Sequence, residues 1–285
     1  MTSAREAAWQ HCLELVRAAD KDRFLASLFI ADESRPHVLA LYAFNIEIAR
    51  VREMVSDAAI GEIRYQWWRD TLEAIYAREV PGHPVAQGLA WAIEKGDLAK
   101  TALGNLIEAR AFDLYDDPMP TVNDLEGYLG ETSSILIQLC AIVLAGREAE
   151  ASAQASGLAG VAYGLTGLLR SLPLHRARGQ CYIPKELLAK HGLTPAHLLA
   201  GRDEAALGMV LQDVRDLARQ RLGEARALAA RVPHAALPAF LPVALVDGYL
   251  RKLDRLGSKA LNTVADVAQF KRQFQLYRAA RRENF

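Results

Sequence analysis

Three features of the sequence predict an all-α fold. Alanine and leucine are abundant, only 11 of 285 residues are proline, and β-branched residues are scattered singly, a composition that favours helices. Apolar residues recur at helical spacing, as in Leu41, Phe44, Ile48, Val51 and Val55, whose 3,4,3,4 intervals mark one buried helix face. Strand-like alternation is nearly absent. Short turn signals divide the helical stretches: ADES at 31–34, VPGHP at 80–84, EKGD at 94–97, DDPMPT at 116–121, AGRE at 145–148 and HGLTP at 191–195. None opens into a long linker, and there is no internal repeat or low-complexity tract, so residues 1–285 read as a single helical domain.

The individual elements carry further signals. Thr121 and Asp124, just ahead of the apolar residues of LEGYL, read as an N-cap with an acid in the first turn. Trp67 and Trp68 are adjacent, so on a helix they point about 100° apart and at least one belongs to the core. Gly157, Gly160, Gly164 and Gly167 sit three or four apart along one helix face, although each glycine costs about 1 kcal/mol relative to alanine in a helix interior. Two readings account for them: close packing against another helix, or room for a long apolar ligand. The C-terminal FKRQFQLYRAARRENF places Phe270, Phe274 and Tyr277 at 4,3 spacing among Lys271, Arg272, Arg278, Arg281 and Arg282. A basic amphipathic helix of this kind either docks on the domain or rests on an anionic membrane surface.

Charge and cysteine content exclude several functions. Lysine plus arginine and aspartate plus glutamate both number 34, so no overall field gathers nucleic acid, and any anion site must be local. Cys12, Cys140 and Cys181 are far apart and lack metal-ligand spacing, and they read as buried thiols of a reducing compartment. The opening stretch MTSAREAAWQHCLELVRAAD has no apolar core and contains Glu6, Glu14 and Asp20, fitting neither a secretory signal nor an acid-poor transit peptide. The longest apolar runs, at 135–146 and 235–246, are about a dozen residues each, short of the ~18–20 that span a bilayer. The expectation is a cytoplasmic protein without a transmembrane helix.

Nearly the whole chain resembles the squalene/phytoene synthase family. The resemblance rests on ALYAFNIEI (40–48), YQWWRDTL (65–72), DLEGYL (124–129) and LTGLLRSLPLHRARGQCYIP (165–184), the last being the most specific. It implies an isoprenoid-synthase-type helical bundle with a central cavity. In that family two aspartate-rich motifs face each other across the cavity and hold Mg²⁺ ions, which bridge prenyl diphosphates and assist their ionisation. Projected onto this chain, the first motif falls on Ala49, Arg50 and Glu53 and the second on Ser171 and His175. Only Glu53 is a ligand for a hard cation. The glutamine and asparagine of the family's QLTN segment become Gly164 and Gly167.

The resemblance therefore implies a degenerate site with no catalytic residues and no resident cofactor. An active prenyltransferase, which would need Mg²⁺, is the alternative. Glu53 and Asp57, four apart, are the one remaining pair that can share a metal, because Glu47 lies about 120° around the helix from Glu53. Arg50, Arg52, Arg170, Arg176 and Arg178 fall where the family's diphosphates lie, either as surface arginines paired with Glu47, Glu53 and Asp57 or as a direct anion site. Tyr42, Arg50, Arg170, Arg178 and Tyr182 are the expected ligand contacts. His175 reads as a helix-end residue, and no serine or cysteine nearby completes a nucleophile set.

Within the family, the chain is most similar to a branch of complex I assembly factors. The shared patterns are LVRAAD (15–20), SLFIADESR (27–35), AFNIE (43–47), MVSDAAIG (54–61), IRYQWW (63–68) and LPAFLPVALVDGYLRKL (237–253). This branch implies respiratory complex I subunits or assembly intermediates as partners, an isoprenoid or anionic lipid as ligand, and a place at the periphery of the inner membrane in a bacterial relative. A carrier of apolar ligands that uses the old cavity without chemistry is a third reading.

Overall fold

A computed structural model describes residues 2–79, 82–115 and 117–285, and every regular element among them is helical. Val80, Pro81 and Asp116, within two of the turn signals, lie outside the described residues, as does Met1 of the opening stretch. The first half consists of α1 (Thr2–Ala19), α2 (Lys21–Ser27), α3 (Arg35–Ala49), α4 (Val51–Met54), α5 (Ala58–Tyr76), α6 (Pro84–Gly96) and α7 (Lys100–Ala111). The middle of the chain forms α8 (Val122–Leu129), a π turn at Gly130–Ser134, α9 (Ile135–Ala145), α10 (Ala153–Arg170) and α11 (Leu172–Ala177). It ends in α12 (Lys185–Lys190), α13 (Pro195–Ala200), α14 (Glu204–Ala227), α15 (Leu237–Phe240), α16 (Val246–Leu256) and α17 (Gln269–Arg282).

The turn signals act through identifiable caps. Thr121 and Asp124 form a reciprocal capping box, in which the Asp124 carboxylate accepts from Thr121 N (2.9 Å) and Thr121 Oγ1 accepts from Asp124 N (3.2 Å). Asp97 closes α6 in the left-handed region, and Gly146 (φ 58°) ends α9. The stripe from Leu41 to Val55 is buried as expected, but it belongs to two helices and an extended residue. Arg50 caps α3, and Val55 (φ −125°, ψ 144°) leaves the helix after Met54. Trp68 is buried against Phe44, their ring centroids 5.1 Å apart, while Trp67 is 42% exposed.

Helix α10 is the central element: it packs against α8, the π turn, α9, α14 and α16. Its glycines divide between the two readings. A Cβ on Gly160 would strike the backbone of Ser134 in the π turn, and one on Gly164 would press on Leu129 and Ser133. Gly157 and Gly167 meet nothing within 4 Å. The extra backbone of a π turn is thus accommodated where α10 presents bare Cα atoms, while Gly167, together with Gly164, lines a cavity.

The helical run Val122–Arg170 is long and apolar enough to cross a membrane by length and composition, which the separate apolar runs did not suggest. The chain turns after α9, however, so that α9 and α10 pack together, and 56% of the most apolar window is buried within the fold. A second, smaller core of Leu25, Ala26, Leu241, Leu245, Tyr249 and Leu276 lies under α17. That helix docks through Arg272 and Leu276, leaving its aromatic stripe outside.

Gly160→Ala should lower stability by about 1–3 kcal/mol through overpacking against the π turn. Gly157→Ala, with open space at its Cβ, should raise it by about 0.5–1 kcal/mol. Denaturant unfolding of the two variants checks the contrast, and equal effects would contradict the close-packing reading of Gly160.

Candidate functional site

Two adjoining cavities open beside α10. The first, about 230 Å³, is lined by Arg23, Arg110, Tyr128, Tyr163, Gly167, Ser171 and His175, among others. The second, about 170 Å³, adds Ala49, Arg52, Glu53, Asp113, Arg178 and Tyr182. They share Arg110, Tyr128, Leu168 and His175 and form one cleft.

Arg23 reaches the first cavity because α2 begins beneath it. Asp20 caps α2, accepting from Arg23 N at 3.0 Å, and its second oxygen takes Arg23 Nη1 at 2.9 Å. The guanidinium carbon then stands 5.0 Å from the ring centroid of Tyr163 and 5.5 Å from that of Tyr42, an arrangement that stabilises a cation in a partly desolvated place. Arg110, in the last turn of α7, donates from Nη1 to the Tyr128 hydroxyl (2.8 Å) and to Asp113 Oδ2 (3.3 Å). Asp113 Oδ1 accepts from the hydroxyls of Tyr128 (2.8 Å) and Tyr182 (2.9 Å). The Tyr65 hydroxyl, shared between the carbonyls of Ile48 (3.1 Å) and Arg110 (2.9 Å), ties this end of α7 to α3. Arg110 Nε has no hydrogen-bond partner among the described residues.

Burial governs the electrostatics. It pushes the Asp113 carboxyl up, against the pull of Arg110 and the hydrogen bonds from Tyr128 and Tyr182. Burial first, and the charge of Asp113 second, push the Tyr182 phenol up. His175, 4.7 Å from the Tyr182 ring by centroids, is pushed down to about 4 by burial and then by Arg178 and Arg110. It is therefore a neutral ring at neutral pH. Among the described residues no carboxylate lines the first cavity, which holds Arg23 and Arg110. In the second, Glu53 pairs with Arg178 at 2.7 Å.

The cleft gathers most of the residues singled out from the sequence: Ala49, Arg52, Glu53, Gly164, Gly167, Ser171, His175, Arg178 and Tyr182. Tyr42, Arg50, Arg170 and Arg176 lie elsewhere. Tyr42 is 3% exposed and sits behind Arg23, its hydroxyl at Cys140, so it supports the cleft from below. Arg50 is exposed at the end of α3 and lines neither cavity, because the helix stops there; Arg52 lines the second cavity instead. Arg170 turns away from the cleft. Its guanidinium lies 3.5 Å over the Tyr249 ring and donates to buried Asp22 (3.1 Å), which also accepts from Arg272 (2.6 Å) and Tyr249 (2.7 Å). Arg176, from the same sequence cluster, is committed to the carbonyls of Leu198, Leu199 and Leu261.

The Glu53–Asp57 pair also changes. The helix breaks at Val55 and Asp57 becomes the N-cap of α5, accepting from Ala59 N at 2.8 Å, so the i,i+4 geometry that would let the two share a metal is lost. Mg²⁺ needs several oxygen ligands in near-octahedral geometry. Around this cleft it would find Glu53, already paired with Arg178, and Asp113, already holding two hydroxyls and Arg110. These residues do not fit the metal.

Comparison with known proteins places this arrangement. The sequence profile of squalene/phytoene synthase matches residues 16–277. The chain belongs to that family. It is 34% identical over 252 residues to "NADH dehydrogenase (ubiquinone) complex I, assembly factor 6" of Homo sapiens, covering 87% of this chain and 75% of that protein. It is 31% identical over 234 residues to the phytoene synthase of Thermus thermophilus, covering 80% and 74%. Among solved structures, a dehydrosqualene synthase in complex with ligand superimposes with a TM-score of 0.84 at 16% identity, covering 98% of this chain and 96% of that one, which establishes the isoprenoid-synthase-type fold.

Arg23, Arg110, Asp113 and Tyr163 were not singled out from the sequence. Asp20, three residues before Arg23, was the one local sign that this arginine would be held in place; nothing in ARAFD marks Arg110 or Asp113 as buried.

Because the folded pKa of His175 lies below the ordinary value of about 6.5, its unfolded form binds the extra proton. Its contribution is complete above pH 6.5 and falls as pH drops toward 4, by about 3 kcal/mol in all. The difference in unfolding free energy between wild type and His175→Asn should shrink over that window. An NMR titration midpoint for His175 at or above 6.5 would contradict the buried, neutral ring.

Proposed function

We propose that this chain is an assembly factor for respiratory complex I, which keeps the prenyl-synthase scaffold and binds an anionic head group in its cleft without metal. The observation that carries the reading is the lining of the first cavity, with Arg23 and Arg110 present and no carboxylate among the described residues. Where the family's acids project, the chain has Ala49, Arg50, Glu53, Ser171 and His175, and the one acid among them, Glu53, is paired with Arg178. Guanidinium groups pair directly with phosphate or carboxylate, and Arg23 and Arg110 both line this cavity.

The size of the cleft supports the same reading. Its two adjoining cavities, about 230 and 170 Å³, together reach only the lower end of the roughly 300–1,000 Å³ of ordinary ligand pockets. They suit a head group better than two prenyl chains lying side by side. The head group belongs to an isoprenoid or an anionic lipid, and the partners are complex I subunits or assembly intermediates, as the names of the 34%-identical relatives suggest. The proposed location is cytoplasmic, at the face of the inner membrane.

The second reading, an active prenyltransferase, is favoured by the 31% identity to a phytoene synthase. It requires Mg²⁺ and release of pyrophosphate. Pure protein incubated with Mg²⁺ and farnesyl or geranylgeranyl diphosphate should release none, and clear turnover would overturn the proposal. Deleting the gene in its host should lower NADH dehydrogenase activity. Wild type should restore that activity and Arg23→Gln, checked for folding, should restore it poorly; an unaffected deletion strain would count against the assembly role.

A further inference from the structure

We infer that the outer face of α17, together with Arg251 of α16, is a docking surface for an anionic phospholipid bilayer. This inference does not depend on the function proposed for the cleft. The inner face of α17 is already committed: Arg272 donates to buried Asp22 at 2.6 Å and Leu276 is fully buried in the second core. The helix is therefore held rigidly, and its other face is left to solvent.

That face is apolar at its centre and cationic along one edge. Phe270, Phe274 and Tyr277 are 66%, 59% and 53% exposed, and on a helix they fall within about 60° of one another. Burying three such rings would be favourable anywhere water is excluded, yet no element among the described residues covers them. Arg278 and Lys271 flank the stripe, each stacked near an aromatic ring, and Arg281 lies between Phe274 and Tyr277 on the helix surface.

Charge identifies the occupant. Arg251, Arg278 and Arg282 line one groove of about 370 Å³ beside Phe274. Among the described residues, none of Arg251, Lys271, Arg278, Arg281 and Arg282 pairs with a carboxylate. The acids nearby are engaged elsewhere: Asp247 with Arg226, Asp254 with Arg215 and Arg219, and Glu283 with His234. Within α17 itself there is no acidic residue. A local excess of cations around exposed aromatics, in a chain with equal numbers of basic and acidic side chains, matches an anionic interface in which rings enter the head-group region and guanidinium groups meet phosphates.

Co-sedimentation of the full chain with vesicles tests this. The protein should sediment with phosphatidylcholine vesicles containing phosphatidylglycerol, much less with phosphatidylcholine alone, and less as salt is raised. The triple variant Arg251→Gln, Arg278→Gln, Arg282→Gln should partition roughly a hundred-fold more weakly, about five-fold per charge removed. Phe270→Ser, Phe274→Ser, Tyr277→Ser together should also abolish sedimentation. All six side chains are exposed, and a thermal melt establishes that both variants fold. Removing the same number of charges elsewhere, by Arg64→Gln, Lys95→Gln and Arg147→Gln, should leave binding intact. Failure of wild type to sediment with anionic vesicles, or equal loss in the distant triple variant, would overturn the inference and leave this face to a protein partner.

Discussion

The close approach of α10 to the π turn, where Gly160 lies against the backbone of Ser134, is the constraint on which the core and the cleft both depend. A side chain at Gly160 would push the two elements apart. With the contact made, α10 brings Tyr163, Gly167 and Leu168 to a fixed distance from Tyr128 and Leu129, and the space between them becomes the first cavity. The same contact seats Ser134 Oγ on the Gly157 carbonyl at 2.7 Å, so the interruption of regular helix at the turn is matched by a hydrogen bond and by packing.

On this scaffold the polarity of the site is set by one buried acid. Asp113 accepts from Tyr128 and Tyr182 and pairs with Arg110, satisfying a carboxyl that would otherwise be costly to bury. In doing so it holds Arg110 at the wall shared by both cavities. The carboxyl is thereby engaged by the protein's own donors, and Arg110 lines both cavities beside it. The pairing of Glu53 with Arg178 continues the pattern in the second cavity, although this more exposed pair contributes little stability.

The fold was largely legible because it rests on local rules. Helical periodicity, the Thr121–Asp124 capping box and the turn residues all act within a few positions of one another, and the long motif 165–184 carried the architecture. The site was legible in part. Glu53, Ser171, His175, Arg178 and Tyr182 meet at the cleft because they stand at motif positions. Arg50 and Arg170 do not, since the first depends on where a helix ends and the second on a buried partner, Asp22, 148 residues away in sequence. The same long-range contact decides α17: its aromatic stripe suggested the docking face, but Arg272, bound to Asp22, turns that stripe outward. Such choices are tertiary, and neither a single helical wheel nor a motif contains them.

Calorimetric titration of the pure protein with farnesyl diphosphate, once with excess EDTA and once with Mg²⁺, tests most directly whether arginine has replaced metal in this cleft. The account predicts the same affinity in both, weakened roughly ten-fold in Arg23→Gln by loss of a charge-assisted pair. Binding that appears only with Mg²⁺ and is indifferent to Arg23 would contradict it.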